Sequence, residues 1–299
     1  MATRKAAPKK RAAKAKGAAA KKSSSKKSAA AKAKKPAAKA KKPAAKRPAA
    51  KPKAKAKAKA KKPSSKKAAG GAARKAAPRV DVDALLTQTA TAREAAWSAW
   101  GTVEPDVITH LLNPTFMGGP RWPAMRQAYR VARAGTETLI ASDGLSDPFE
   151  DGSRNGFGLE IFAVTDEPLE RAAPSWLFDA VWQMSQFCAQ HGGVADLLDE
   201  LRLVTTELYG VKIPDEHAPR FINDAGRVAV LLGMQPVGRL SFRIDGPLSP
   251  IRLVNLKLLT LPELAFVLQG GDGARAELAR RFESQGSPLR SSLTRDSVV

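Results

Sequence analysis

The sequence predicts an α+β domain, a mixed sheet packed with helices, that follows a long disordered basic tail. Residues 1–79 contain 26 Lys and 5 Arg, no Asp or Glu, and no Val, Ile, Leu, Phe, Tyr or Trp, so they carry a formal charge of +31 and have almost nothing to bury. Residues 80–299 hold all 17 aromatic residues and a net charge of −8, because 20 basic residues face 28 acidic ones. Strand and helix patterns mix there without a regular βαβ period, which favours an α+β layout.

The first half of the domain begins with a helical pattern and continues with extended segments. Apolar residues at helical spacing predict a helix over 83–99. A second short helix is predicted over 105–112, with Pro105 in its first turn. Strands are predicted over 126–133 and 136–142, joined by a hairpin turn at Gly135.

The second half of the domain contains one strong amphipathic pattern. Leu177, Val181, Met184 and Cys188 are spaced by 4, 3 and 4 residues, which predicts a helix over 175–190 that ends at Gly192-Gly193. The other predicted elements are strands at 158–164, 203–209, 227–232 and 251–259, and helices at 194–202, 262–269 and 273–285.

The tail is predicted to bind nucleic acid without base specificity. Lys is a compact point charge, and no aromatic residue is interleaved for base stacking, so the tail fits phosphate groups. Its repeats, KKPAAKA at 34–40 and KKPAAKR at 41–47, resemble the C-terminal tails of linker histones and the Lys-Ala-Pro extensions of bacterial histone-like proteins. DNA is favoured; the alternatives are RNA, an acidic membrane surface and a merely solubilising extension. The predicted nucleic-acid-binding residues are Lys34, Lys35, Lys39, Lys41, Lys42, Lys46, Arg47, Lys51, Lys53, Lys55, Lys57, Lys59, Lys61 and Lys62.

The apolar runs of the chain are short. None has the roughly 18–20 residues that a membrane-spanning helix needs, and no apolar stretch follows the basic start as in a secretory signal. The lone Cys188 within an apolar helical pattern predicts a buried thiol in a reducing compartment. We therefore expect a cytoplasmic, nucleoid-associated protein, nuclear if the source is eukaryotic, with no membrane partner.

No pattern in the domain predicts catalysis, a metal or another cofactor. Cys188 and His191 supply only two of the four ligands that zinc prefers. The acidic loop of Asp147, Glu150 and Asp151 lacks the alternating oxygen ligands of a calcium loop and is more typical of a solvated turn. The glycines at 270–273 are not followed by the Lys-Ser/Thr of a phosphate-binding loop, so a helix end explains them. We therefore do not expect an enzyme.

Four short islands of sequence carry a family resemblance. They are Met117-Gly118-Gly119-Pro120 leading to Ala128-Tyr129-Arg130; Gly144-Leu145-Ser146-Asp147-Pro148-Phe149; Gly156-Phe157-Gly158-Leu159-Glu160-Ile161; and Pro174-Ser175-Trp176 at the start of a helix. In this order and spacing they resemble a Suppressor of fused domain of the bacterial type.

The resemblance implies a non-enzymatic binding module with a mixed α/β fold. The animal family sequesters transcription factors by clamping a peptide as an added strand, and bacterial members are associated with toxin-immunity systems. Phe149 stands where the animal family has a Tyr that helps to hold the partner. The resemblance therefore predicts a protein-partner contact at Asp147, Phe149, Glu150 and Asp151. Alternatively, Phe149 is a loop residue packed on the core.

Three functions follow from these patterns, in decreasing order of support. The first is a binding protein whose domain captures a protein partner while the tail attaches to nucleic acid. The second is a nucleoid- or chromatin-compacting protein in which the tail is the main activity and the domain an anchor. The third is an unrecognised enzyme that uses His110 or His217.

Overall fold

The computed structural model describes residues 81–235, 238 and 240–299. The tail and all of its predicted nucleic-acid-binding residues lie outside this range. The helices are α1 (Val82–Trp100), α2 (Trp176–His191), α3 (Val194–Leu201), α4 (Ala218–Phe221) and α5 (Leu261–Ser284), and Pro114–Met117 form a 3₁₀ turn. The strands are β1 (Thr102–Val103), β2 (Ile108–Thr109), β3 (Ala128–Ala134), β4 (Glu137–Asp143), β5 (Leu159–Thr165), β6 (Val204–Tyr209), β7 (Arg227–Leu232), β8 (Arg243–Asp245) and β9 (Pro250–Leu258).

These strands form one mixed sheet. Its order is β1-β3-β4-β5-β9-β7-β6, with β2 paired to β3 and β8 paired to β9. The only parallel pair among the described strands is β5 with β9, in the register Ile161↔Val254. The predicted hairpin is confirmed: β3 and β4 pair from Ala134↔Glu137 inwards, and Gly135 adopts φ +64° at the turn.

Helices cover both faces of the sheet. Successive side chains of β5 point to opposite faces of the sheet, so Ile161 packs on the side of α2 and Phe162 on the side of α1. The α2 stripe predicted from the sequence is buried: Leu177, Val181, Met184 and Cys188 are all 0% exposed. A third apolar cluster packs α5 on β7, the strand next to the edge strand β6, through Leu231, Leu278 and Phe282.

Helix ends follow the local sequence. Asp81 caps α1 by accepting a hydrogen bond from the amide of Ala84 (3.0 Å), and Ser175 caps α2 through the amide of Phe178 (3.1 Å). At Gly192, φ is +71° where α2 ends. The two helices predicted at 262–269 and 273–285 form one element, α5, which is kinked at Gly271.

The helix predicted over 105–112 is wrong. Residues Ile108–Thr109 instead form β2, in which Ile108 pairs with Tyr129, and His110 lies in the following loop. Pairing with the long strand β3 outweighs the weak local propensity of a segment that lies between two prolines. The sequence patterns also missed β1, β8 and α4.

The last residues extend the sheet and cover the core. The amide of Ser291 donates to the carbonyl of Val164 in β5 (2.8 Å), so residues 290–291 run beside β5. Leu293 is buried with the main core. The guanidinium of Arg295 lies 2.5 Å from the carboxylate of Glu263, which is fully buried at the start of α5. The C-terminal segment is therefore an integral part of the domain.

Candidate functional site

A buried ionic cluster lies beneath the loop that carries the predicted contact residues. Its centre is Arg93 of α1, which is 1% exposed. Arg93 Nε donates to Asp143 Oδ1 (2.9 Å), Nη1 donates to Ser146 Oγ (2.9 Å), and Nη2 lies 2.7 Å from Asp147 Oδ1. Because Asp143 ends β4 and Ser146 and Asp147 follow it, Arg93 fixes the start of the loop after β4.

Glu160 of β5 holds the same loop from the sheet side. Its carboxylate accepts hydrogen bonds from the amides of Gly144 (3.1 Å) and Ser146 (3.0 Å) and from the hydroxyls of Ser146 (2.6 Å) and Ser142. Arg93 Nη1 lies 3.5 Å away. A fully buried carboxylate with this number of donors is stable in place, because its lost hydration is replaced by fixed partners.

The charges of the cluster shift one another's pKa values. Burial alone would raise the pKa of Asp143, but the positive charges of Arg93, Arg126 and Arg130 hold it below its usual value. Burial raises the pKa of Glu160 and of Asp147, against the opposing attraction of Arg93. The cluster couples α1, β4 and β5 electrostatically.

Asn155 closes the far end of the loop. Its side-chain amide donates to Thr89 Oγ1 (2.9 Å) and to the carbonyl of Ser146 (3.2 Å), and its oxygen accepts from the amides of Leu248 (2.9 Å) and Ser249 (3.0 Å). The loop from 144 to 158, here called the display loop, is thus tied down at both ends.

The display loop forms one wall of an open groove. Its cavity has a volume of about 510 Å³. The rings of Phe149 and Phe157 pack edge to face with their centroids 5.8 Å apart, and Arg154 lies over Phe149 at 5.7 Å. Arg121 and Glu150 form an exposed ion pair across the rim. The groove, which we call the Phe149 groove, is lined by Arg121, Trp122, Pro123, Phe149, Glu150, Asp151, Phe157 and Ala189.

A second, smaller cavity adjoins the first across Phe157. It has a volume of 270 Å³ and lies between the display loop and α3. Asp199 of α3 forms ion pairs with Arg243 (2.7 Å) and Arg252 on its floor. Phe157 is the residue that lines both cavities.

The structure brings three of the four predicted contact residues to this groove. Phe149 is half-buried, while Glu150 and Asp151 are exposed, and all three line the cavity. The fourth residue, Asp147, does not line the groove, because it is 1% exposed and paired with Arg93 beneath the loop. Its position next to the others in sequence did not reveal that the turn directs it inward.

Sequence reasoning missed the opposite wall of the groove. Arg121, Trp122 and Pro123 come from the segment after the first island, and Ala189 comes from α2. The signal available was weak: Arg121-Trp122-Pro123 directly follows Met117-Gly118-Gly119-Pro120. Only the folded sheet shows that these residues face Phe149.

The other reactive side chains do not gather around the groove. Cys188 is buried, as predicted, and burial raises the pKa of its thiol. His110 lies against Trp182 and Tyr129, and burial lowers its pKa. Within residues 81–235, 238 and 240–299, no group of three or more His, Cys, Asp or Glu could hold a metal ion. Over the same residues, no helix is long and apolar enough to cross a membrane.

Comparison with known proteins returns matches among solved structures alone. No protein-family model and no curated protein matches the chain. The crystal structure of Drosophila Suppressor of Fused is similar to it with 16% identity and a TM-score of 0.43, over 65% of this chain and 47% of that chain. A chain of the Sufu-Fu complex crystal structure is similar with 16% identity and a TM-score of 0.44, over 74% of this chain and 93% of that one.

These matches are to the family that the four sequence islands indicated. The chain spans about half the length of the Drosophila chain, 47% of it. The mixed sheet packed with helices is the fold that the sequence predicted.

Proposed function

We propose that the domain is a protein-binding module that holds a short extended segment of its partner in the Phe149 groove. The observation that carries this proposal is the edge-to-face pair of Phe149 and Phe157 at the mouth of a 510 Å³ cavity, on a loop fixed by buried hydrogen bonds. Aromatic side chains held in place beforehand lose little entropy on binding, so they act as anchors.

The chemistry of the groove defines the segment that it fits. An apolar side chain of the partner would pack against Phe149 and Phe157, above the fully buried Trp122. Polar groups beside it would meet Arg121, whose side chain is 59% exposed, and Glu150, whose side chain is 80% exposed. Because an exposed ion pair contributes little by itself, these two residues can change partners at small cost. The partner is therefore a peptide segment with one apolar anchor flanked by polar residues.

The second part of the proposal concerns the tail. Its +31 charge and its lack of acidic residues support binding to nucleic acid through phosphates. In this function the domain selects a protein and the tail holds the pair on nucleic acid.

Affinity capture from a nuclease-treated lysate tests the groove. The full chain is compared with Phe149→Ser and with a matched control, Leu268→Ser, which replaces an apolar residue that is 74% exposed on α5. We expect the wild type and Leu268→Ser to retain one protein in stoichiometric amount and Phe149→Ser to lose it. Equal retention by Phe149→Ser would exclude the Phe149 groove as the contact.

A second candidate function is compaction of nucleic acid by the tail, with the domain as an anchor. The charge separation within the chain favours it, since nearly all of the lysines lie in the tail. Replacing residues 1–79 by an unrelated Lys/Ala sequence of equal charge tests whether charge alone compacts DNA, and Phe149→Ser distinguishes the two functions. Compaction of DNA survives the exchange in both, but only the first function also requires an intact Phe149 groove.

A further inference from the structure

Four of the five most exposed large apolar residues in the described part of the chain lie in one short connection. Leu111 is 101% exposed, Leu112 67%, Phe116 77% and Met117 76%. They lie within the seven residues 111–117 between β2 and β3, a segment here called the apolar loop. Isolated exposed apolar residues are ordinary, but four large ones in so short a segment are typical of an interaction surface.

Hydrogen bonds hold the apolar loop in a fixed shape. Asn113 Oδ1 accepts from the amide of Thr115 (3.0 Å), and its amide group donates to the carbonyl of Met125. Gln127 donates to the carbonyl of Pro120 (3.1 Å) and to Thr115 Oγ1 (3.2 Å). Gln127 in turn accepts from Gln186 of α2 (2.9 Å), which ties the loop to the core helix.

The backbone reinforces this shape where the 3₁₀ turn ends. Gly118 adopts φ +85° and its amide donates to the carbonyl of Thr115 (3.3 Å). The amide of Gly119 donates to the carbonyl of Pro114 (2.9 Å), an approach so close that a Cβ at Gly119 would lie 2.9 Å from the same oxygen. A surface that is ordered before binding does not have to be ordered by its partner. The exposure of Phe116 and Met117 is therefore built into the fold.

The charge around the loop limits what can cover it. Residues 111–120 contain no charged residue, and the four arginines that follow, at 121, 126, 130 and 133, are each paired with a carboxylate. A patch that is free of charge can face its own copy across a two-fold axis without repulsion between like charges at the contact.

We propose that the apolar loop is the contact through which two copies of this chain form a symmetric dimer. The four side chains expose on the order of 600 Å² in each copy, taking about 150 Å² for each, the lower end of the range for an aromatic side chain. Two copies placed face to face would cover about 1,200 Å², the lower bound for specific interfaces. The dimer is therefore a weak one, in exchange with the monomer at low protein concentration.

Dimerisation has a consequence for the tails. A dimer carries two tails. Once one tail is bound to nucleic acid, the second tail is held close to the same nucleic acid at a raised local concentration. This consequence rests on the proposed nucleic-acid function. The dimer itself does not, and its test is made without nucleic acid.

Sedimentation equilibrium of the nuclease-treated full chain at high salt, over a wide range of protein concentration, tests the dimer. The double variant Leu111→Ser/Phe116→Ser removes the two largest exposed surfaces, and Leu268→Ser on α5 is the matched control. We expect the wild type and Leu268→Ser to share one dimer dissociation constant. The double variant should raise it about 100-fold or more, because each lost anchor contributes about tenfold.

Three results would overturn the proposal. The first is a wild type that remains monomeric at every concentration. The second is a double variant that dimerises as the wild type does, with a circular dichroism spectrum showing that it is folded. The third is a monomeric wild type that sediments with neutral or anionic lipid vesicles while the double variant does not, which would assign the loop to a membrane surface.

Discussion

At the scale of single residues, buried charges explain how the display loop keeps its shape. Arg93 contacts both carboxylates that flank the turn, Asp143 and Asp147, and it lies within 3.5 Å of Glu160. Removing one partner of a buried ion pair lowers the stability of the fold more than replacing both partners by apolar residues. The remaining charge is then buried without water or a counter-charge. The cluster therefore positions Phe149 without touching it.

Replacing Arg93 by Met tests this role. We expect Arg93→Met to lower the free energy of unfolding by about 3–5 kcal/mol, since Asp147 and Glu160 lose their buried counter-charge. Urea denaturation followed by tryptophan fluorescence measures the change. Arg121→Met is the control, because its pair with Glu150 is exposed and should contribute less than about 1 kcal/mol. Equal effects of the two variants would contradict the role of the cluster.

Lys257 gives a prediction for pH. Its ammonium group is 1% exposed, donates to the carbonyl of Ser287 (3.1 Å) and lies over the Phe282 ring at 4.4 Å. Burial, with the nearby positive charges of Arg295 and Arg290, lowers the pKa of Lys257 to about 7, against the attraction of Glu263 and Asp166. Between pH 7 and about 10.4 the unfolded chain therefore binds more protons at this residue than the folded one.

The sign of the effect follows from that difference. The cost of burying charged Lys257 is complete below pH 7 and is relieved as pH rises through the interval. We expect the stability of the wild type minus that of Lys257→Met to increase by up to roughly 1.4 kcal/mol per pH unit. Urea unfolding at several pH values measures it, and the exposed Lys212→Met serves as control. A difference that does not change with pH would refute this prediction.

At the scale of elements, backbone conformation decides where the display loop can turn. Gly156 has φ +41°, and a Cβ there would lie 2.2 Å from the carbonyl oxygen of Leu145. Phe157 follows directly and donates its amide to the same carbonyl (2.9 Å). The close approach of two backbone segments therefore sets the position of Phe157 at the groove, and only glycine allows it.

Two glycine substitutions separate this effect from ordinary strain. Gly156→Ala should cost about 3 kcal/mol or more, because it combines a left-handed conformation with a backbone clash. Gly135→Ala, at the β3–β4 hairpin with φ +64° and no atom within 4 Å of the added Cβ, should cost about 1–2 kcal/mol. Thermal unfolding of both variants gives the comparison. A Gly156 variant as stable as the Gly135 variant would contradict the close approach.

At the scale of the whole molecule, the charge of the chain is divided between its two regions. The tail carries +31 and the remaining residues carry −8. The proposed binding to nucleic acid therefore depends on the tail alone, and its strength depends on salt through the release of counterions.

A salt titration of duplex DNA binding tests this dependence. For the full chain we expect log affinity to fall linearly with log salt concentration, with a slope of about −0.9 for each phosphate neutralised, and so about −9 for ten engaged lysines. A chain without residues 1–79 should show no binding. Fluorescence anisotropy of a labelled duplex measures both, and an affinity that is insensitive to salt would contradict the proposal.

Much of the fold could be predicted from local sequence patterns. The apolar stripe of Leu177, Val181, Met184 and Cys188 predicts α2. Gly135 between two segments of alternating apolar residues predicts the β3–β4 hairpin. Both predictions succeed because the spacing of apolar residues follows the side of the helix or strand that faces the core. Three of the four predicted contact residues also reach the groove. The charge contrast between residues 1–79 and 80–299 is a property of composition, so the sequence determined it completely.

Only the tertiary structure decided the rest, because it depends on contacts between residues far apart in the chain. Residues 105–112 have a weak local preference, and pairing of Ile108 with Tyr129 made a strand of part of them. Asp147 is directed inward by Arg93, which lies more than fifty positions earlier. Trp122 faces Phe149 across a groove, and Leu111 and Phe116 remain exposed, only because the sheet and the hydrogen bonds of Gln127 and Asn113 place them so. Such placements arise from packing of the complete chain, which no local period encodes.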